Sequence, residues 1–333
     1  MRIRVIGHSG ELSFPFGESG PWREFRNEIE TRSNSIISGD YSEPSDAIIV
    51  NHHNDLISQY MNRHNIPLNK RILVIWEPYI VETTRYKKEV LEQYGKVYCP
   101  SLDWAERVGG SFFNWPQDSI LSSECNSNWE QRLNRAAIIQ GNKYSARKGE
   151  MYSLRRRVLK KDSSTNIDLF GTDWNKGLSF DWWHWSRSLI GSRIRDTSIS
   201  SIYGIGRRYK QYKGKVEVKS QILQQYKVAI VIENSLDFVS EKLFDAVRNG
   251  CVVIYVGPNL SKYGFQHESI LQVKPDEKEI LNKLSDLLKL SSNILLQKSN
   301  SQIEEFISIS DRWENTKVLK TLASDMSVYL NQI

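Results

Sequence analysis

The chain is 333 residues long and carries 45 Lys+Arg against 39 Asp+Glu, a net charge of only +6. Hydrophobic residues make up 39%, with ten tryptophans, which is enough apolar surface for packed cores and excludes a disordered chain, while the length suits two domains. Three scattered cysteines, Cys99, Cys125 and Cys251, with no Cys-x-x-Cys, exclude a disulfide framework and a cysteine zinc site.

The chain opens on Arg4-Val5-Ile6, a strand rather than the apolar core of a signal peptide. No later apolar run is long enough to span a membrane, so a soluble, cytoplasmic protein is expected. Ala47 to Val50, Arg71 to Trp76 and Lys96 to Cys99 read as buried strands. They stop at Asn51-His52-His53, Glu77-Pro78 and Pro100-Ser101. Helix-type spacing runs from Tyr86 to Tyr94. Apolar strands alternating with helices predict a parallel sheet covered on both faces, with working groups past the carboxyl ends of the strands.

The polar stretch Ser122 to Asn128 is the candidate linker. A second alternation follows. Ala136 to Ile139 is a strand, and Gln140 to Lys148 is a polar, basic loop. Met151, Leu154 and Val158 mark the buried face of a helix, with Arg155, Arg156 and Arg157 partly outward. Ile167 to Phe170 is the next strand. Trp174 to Lys215 lacks periodicity and reads as an inserted lid or irregular region containing the cluster Trp182-Trp183-His184-Trp185. Val228 to Ile232 is a strand, Val239 to Asn249 a helix, and Cys251 to Val256 a strand stopped by Gly257-Pro258. Ile280 to Leu288 is an amphipathic stripe, and the tail from Trp313 is helical. The expectation is two α/β domains facing each other across a cleft. Residues 1–125 form the acceptor side and 129–310 the donor side, with a terminal helix over 311–333.

The charge is unevenly placed. Arg135 to Lys219 holds 19 basic and 7 acidic residues, against 26 basic and 32 acidic elsewhere. Such a zone attracts a phosphate-bearing ligand or a polyanion. No zinc-finger spacing, RNA-recognition signature or basic heptad accompanies it, so nucleic acid is not the expected partner.

The most informative stretch is Val228 to Gly250. It reads as a strand, a polar turn, and a helix capped by Ser240 and closed by Gly250 in the left-handed position. Its free amides favour an anion, and Lys242 adds a positive charge in the first turn. A lysine there is unfavourable to the helix itself, so it either serves a ligand phosphate or extends to solvent.

Glu233-Asn234-Ser235 closing a buried strand, Val239-Ser240-Glu241-Lys242-Leu243 opening a helix, and a strand ending Tyr255-Val256-Gly257-Pro258 together resemble the donor signature of glycosyltransferase family 10, the α-1,3/4-fucosyltransferases. Upstream, Tyr212-Lys213-Gly214, Lys219 and the loop Asn142 to Tyr152 also resemble that family. The resemblance implies two facing Rossmann-like domains of the GT-B type and an inverting enzyme. That enzyme moves L-fucose from GDP-fucose to a glycan hydroxyl in glycan biosynthesis or protein glycosylation. It further implies that Glu241 grips the ribose hydroxyls, that Lys242 and either Arg147 or Lys148 hold the diphosphate, and that Asn234 sits near the phosphates. Phe238 stands where the family often has a tyrosine and cannot donate a hydroxyl bond. Glu77 corresponds to the family's general base, a role a strand-end carboxylate can fill by taking the acceptor proton. Glu82, His52 and His53 are rival bases. With basic residues neutralising the diphosphate and no Asp-x-Asp at a strand end, no metal or other cofactor is required.

Two other readings stand beside this one. Glu233 and Glu241 are separated by seven residues, as in retaining transferases of the same two-domain type, so a retaining or other GDP-sugar transferase is the alternative enzyme. A non-enzymatic polyanion-binding protein using the basic zone is the other.

Overall fold

The computed structural model describes residues 1–7, 21–31, 34–37, 42–118, 128–164, 166–175, 209–266 and 269–332. The expected linker at 122–127 and the aromatic cluster at 182–185 lie outside them, as does most of the expected irregular region. The chain divides into two compact units, residues 1–119 with 310–333, and residues 120–309.

Unit 1 begins with β1 (Arg2–Ile6), α1 (Pro21–Glu30), β2 (Ser35–Ile37), β3 (Ala47–Val50), α2 (Asp55–Arg63), β4 (Arg71–Val74), α3 (Lys88–Leu91), β5 (Lys96–Cys99), α4 (Leu102–Arg107) and β6 (Ser111–Phe112). Its strands form one sheet in the order β2-β1-β3-β4-β5-β6, and every pair is parallel. Every residue of β3 is buried, as a strand covered on both faces requires. Asn54 caps α2 by accepting from the Ile57 amide at 3.0 Å, and Ser101 caps α4 through the Trp104 amide at 3.3 Å.

The helix expected over Tyr86 to Tyr94 is only a single turn, Lys88–Leu91, preceded by a 3₁₀ turn at Thr84–Tyr86. The amides of Gln93 and Tyr94 bond three residues back, to Val90 and Leu91, so the helix tightens and stops. The third expected strand ends at Val74 rather than Trp76, whose indole N–H donates to Asn51 Oδ1 at 2.9 Å.

Unit 2 contains β7 (Leu133–Ile139), α5 (Tyr152–Lys161), β8 (Ile167–Phe170), β9 (Tyr212–Gly214), α6 (Lys219–Leu223), β10 (Tyr226–Ile232), α7 (Glu241–Arg248), β11 (Val252–Val256), β12 (Leu271–Gln272), α8 (Glu277–Leu288) and α9 (Ser292–Ser308). Its sheet is also wholly parallel, in the order β12-β11-β10-β7-β8-β9. Chain order runs outward from β7 through β8 and β9 on one side, and from β10 through β11 and β12 on the other. The seam between β7 and β10 is therefore a topological switch point, where open parallel sheets bind ligands beyond their strand ends. In unit 1 the corresponding seam lies between β1 and β3.

The core of unit 2 packs Met151, Leu154 and Val158 of the α5 segment and Ile280, Leu284 and Leu287 of α8 against the sheet. The expected helical stripes are thus buried. The terminal helix α10 (Asn315–Asn331) belongs to unit 1, where Val318, Leu319, Leu322 and Met326 join Phe25 and Ile29 in one apolar cluster.

Candidate functional site

The switch point of unit 2 brings together the loop after β7, the turn after β10 and the start of α7. The strand ends are tied directly. Gln140 Nε2 donates to the Ile232 carbonyl at 2.9 Å. Arg155, from the first turn of α5, donates through NH2 to the carbonyls of Ile232 and Glu233, at 2.7 and 3.0 Å, and to Asn234 Oδ1 at 2.9 Å. The Met151 amide donates to the Asn234 carbonyl at 3.0 Å. Arg155 was expected to point partly outward, but it is only 1% exposed. Burial lowers its pKa to about 10 even with the Glu233 charge nearby. A run of three arginines reads as a solvated face. What buries the first is the demand of the strand end for a donor able to reach several oxygens at once.

The turn closes back through Glu233, which is fully buried. Its carboxylate accepts from the Ser240 amide at 2.9 Å and the Ser240 hydroxyl at 2.6 Å, and Tyr255 OH lies at 3.5 Å. Ser240 is the expected N-cap of α7, in extended geometry, accepting from the Lys242 amide. At the far end, Gly250 takes the left-handed φ of +76°, and the amides of Gly250 and Cys251 return to Val247 and Ala246.

Lys242 does not extend to solvent. Its side chain is 16% exposed, with Nζ donating to Ser240 Oγ at 2.9 Å and lying 3.7 Å from Glu233 and 3.8 Å from Glu241. Burial pushes the Glu233 carboxyl above its ordinary value, and Lys242 and the Ser240 bonds only partly oppose it. Glu241 is half-exposed and pairs with Lys219 at 3.3 Å. Burial works to raise its pKa, but Lys242, then Lys219, outweigh it and hold the carboxyl below its usual range. Lys219 also donates to Asp245 at 2.8 Å. Beside these residues lies a crevice between α6 and α7, lined also by Ala137, Ala229 and Val231 of the sheet.

The other expected donor residues are spread around this point. Asn234 is buried with its side chain on Arg155, and Phe238 is buried at 3%. Arg147 and Lys148 are both exposed on the loop after β7. Much of the described basic zone is neutralised internally: Arg135 and Lys213 pair with Asp168, and Arg157 and Lys161 with Glu277.

Glu77 lies in unit 1, half-buried just past β4, with its carbonyl accepting from Tyr86 OH at 2.9 Å. Glu82 and His52 both contact Arg85, on which Glu77 also acts, whereas His53 bonds Tyr94 OH at 2.7 Å. The feature missed at this end is Arg85, whose side chain is 3% exposed and joins His52 to Glu82.

No family model matches the chain, and no curated protein matches it. Solved structures do. Anabaena HepE in complex with UDP and glucose superposes with a TM-score of 0.56 at 9% identity, over 98% of this chain and 99% of that one. The trehalose-6-phosphate synthase of Burkholderia multivorans gives 0.55 at 9% identity, over 93% and 76%. A trehalose-6-phosphate synthase studied for glycosyltransfer with retention gives 0.55 at 11%, over 93% and 78%. The fold is the GT-B type. The resemblance to glycosyltransferase family 10 is overturned, because the neighbours are UDP-bound HepE and trehalose-phosphate synthases. The reason is visible in the GT-B geometry. A strand-end Glu-Asn, a Ser cap and a Glu-Lys pair in the first helical turn build a helix start, suited to an anion in general, on a parallel sheet. That pattern specifies neither guanine nor fucose.

Proposed function

We propose that the protein is a GT-B glycosyltransferase that moves a hexosyl group from a uridine-diphosphate sugar to a hydroxyl of a carbohydrate acceptor, with retention. The observation that carries this reading is the Glu233–Ser240–Lys242 cluster at the switch point of unit 2, with Glu241 beside it. Lys242, the first amides of α7 and the exposed Arg147 and Lys148 meet the charge that develops on the leaving diphosphate. The half-exposed Glu241, kept ionised by Lys219 and Lys242, accepts from the ribose hydroxyls. Asn234, clamped by Arg155, borders the phosphates, and Phe238 supports the turn from the core side.

Retention is favoured by the seven-residue separation of Glu233 and Glu241 and by the neighbour studied for transfer with retention. The anomeric carbon–phosphate bond breaks and the carbon–acceptor oxygen bond forms on the same face. The acceptor proton passes to the departing diphosphate oxygen. This route needs no carboxylate base, so Glu77 is not assigned that role. Uridine is favoured over guanosine by the UDP and glucose bound in HepE.

Thermal unfolding with added nucleotides tests the donor, since a ligand at one hundred times its Kd adds about 2.7 kcal/mol. UDP raises the midpoint and GDP does not; a GDP-only response would overturn the uridine reading. Proton NMR of the glycoside formed from UDP-α-glucose tests the stereochemistry. An α-glucoside is expected, and a β-glucoside would restore Glu77 as a base.

A further inference from the structure

The switch point of unit 1 holds a second polar cluster. His52 stands two residues past β3, on the seam between β1 and β3, half-buried. Arg85 reaches it from the 3₁₀ turn Thr84–Tyr86. That turn is held by Tyr86, whose hydroxyl donates to the Glu77 carbonyl and whose ring packs on Trp104 and Tyr79. Arg85 NH2 lies 2.6 Å from His52 Nδ1.

The chemistry of this contact has one solution. A guanidinium has five donors and no acceptor and stays charged, so Nδ1 must supply a lone pair. A histidine whose Nδ1 is an acceptor is neutral and carries its proton on Nε2. Protonating Nδ1 would break the bond and set an imidazolium against a buried cation. Carboxylates surround the pair. Glu82 lies 3.7 Å from Arg85 NH2, and Glu77 is close enough to act on the same guanidinium. His53 follows in the chain, with its Nδ1 2.7 Å from Tyr94 OH, and Asp55 lies just beyond. Burial outweighs Glu82 and Glu77 at this guanidinium, and its side chain is only 3% exposed, so little of it faces outward to a ligand. It is well suited to fixing a ring.

We propose that Arg85 is a positioning residue that locks His52 as the neutral tautomer protonated on Nε2, so that His52 serves as a hydrogen-bond donor and not as a base. The lock itself is independent of the transferase reading. Only the identity of the oxygen that receives the Nε2 proton, a hydroxyl or phosphate oxygen of a substrate, rests on that reading.

Long-range proton–nitrogen correlation spectra of the uniformly ¹⁵N-labelled full chain at neutral pH test the proposal, with the His52 signals assigned by loss in His52→Gln. Nδ1 should appear as an unprotonated acceptor nitrogen and Nε2 as a protonated one, without averaging. In Arg85→Met the two shifts should move toward averaged values. Glu82→Gln should keep the wild-type pattern. A cationic, averaged or Nδ1-protonated His52 in the wild-type chain overturns the lock, and that reading stands even if Arg85→Met does not fold. The spectra need no substrate, so a missing response to UDP sinks the donor reading without touching this one.

Discussion

Two buried carboxylates in unit 2 meet opposite fates. Asp168, on β8, takes a bidentate guanidinium from Arg135 at 2.8 and 2.7 Å, the Tyr226 hydroxyl at 3.0 Å and Lys213 at 3.5 Å. Burial works to raise its pKa, but Arg135 and Tyr226 overcome this and hold it below the ordinary aspartate range. Glu233, at the end of β10, has hydroxyl and amide donors from Ser240, but its nearest lysine is 3.7 Å away and shared with Ser240 and Glu241. Burial dominates there and the pKa rises. A guanidinium fork in contact keeps a buried carboxylate charged, whereas an ammonium at a distance does not. The difference also separates structure from function. The Arg135 fork is fully engaged with Asp168, while Lys242 divides one ammonium among Ser240, Glu233 and Glu241, and the proposed function gives it a phosphate as a further partner.

Breaking the first pair should have the larger effect on stability. Arg135→Met leaves Asp168 buried without its bidentate partner. Loss of a buried partner costs about 3–5 kcal/mol, and because the Arg135 side chain is 31% exposed and Lys213 remains, about 2–3 kcal/mol is expected. Urea unfolding should show that loss while the UDP affinity stays unchanged. A shift in affinity would mean that Asp168 is wired to the donor site after all.

Lys242→Met should show the opposite profile. Removing a charged hydrogen bond to a phosphate costs about 1.5–3 kcal/mol, so UDP should bind roughly 10- to 150-fold more weakly by calorimetry. Unfolding should change less than in Arg135→Met, because Lys242 stands 3.7 Å from Glu233 and both Ser240 bonds to that carboxylate remain. Equal UDP affinity in this variant and the wild type would place the diphosphate elsewhere and remove the functional half of the contrast.

The same contrast marks what was legible in the sequence. Ala47–Val50, Lys96–Cys99 and Ile167–Phe170 are strands at the expected residues, because a strand covered on both faces is a mostly apolar run, interrupted here only by Lys96 at its start and by Asp168. The edge strands Ser35–Ile37, Ser111–Phe112 and Leu271–Gln272 are too short to show any period. The helix start at Ser240-Glu241-Lys242 was legible because a cap and a misplaced lysine are local features. The burial of Arg155 was not, since its partners lie 77 to 79 residues away in β10 and the turn after it. Nor was the return of α10 to unit 1, because an amphipathic helix does not state which sheet it covers. The choice of nucleotide was read from a capped helix start that carries no mark of the base, and it was there that the resemblance misled.

The smallest expected effect is the sharpest test of the comparison, because the two carboxylates should respond to pH in opposite senses. The pKa of Asp168 is lower folded than unfolded, so its contribution is present above about 3.8 and lost as pH falls through the folded value. Glu233 has the reverse sign. Its pKa is higher folded than the ordinary 4.5, so its contribution is fullest below that value and is lost as pH rises through the folded one. Each site changes the slope of stability by at most about 1.4 kcal/mol per pH unit. Asp168→Asn should therefore flatten the acid side of the stability profile, and Glu233→Gln the side above pH 4.5, in urea titrations at matched ionic strength. Flattening on the acid side by Glu233→Gln would show that Lys242 holds Glu233 as firmly ionised as Arg135 holds Asp168. The lysine would then be a structural partner, with no freedom to serve a ligand.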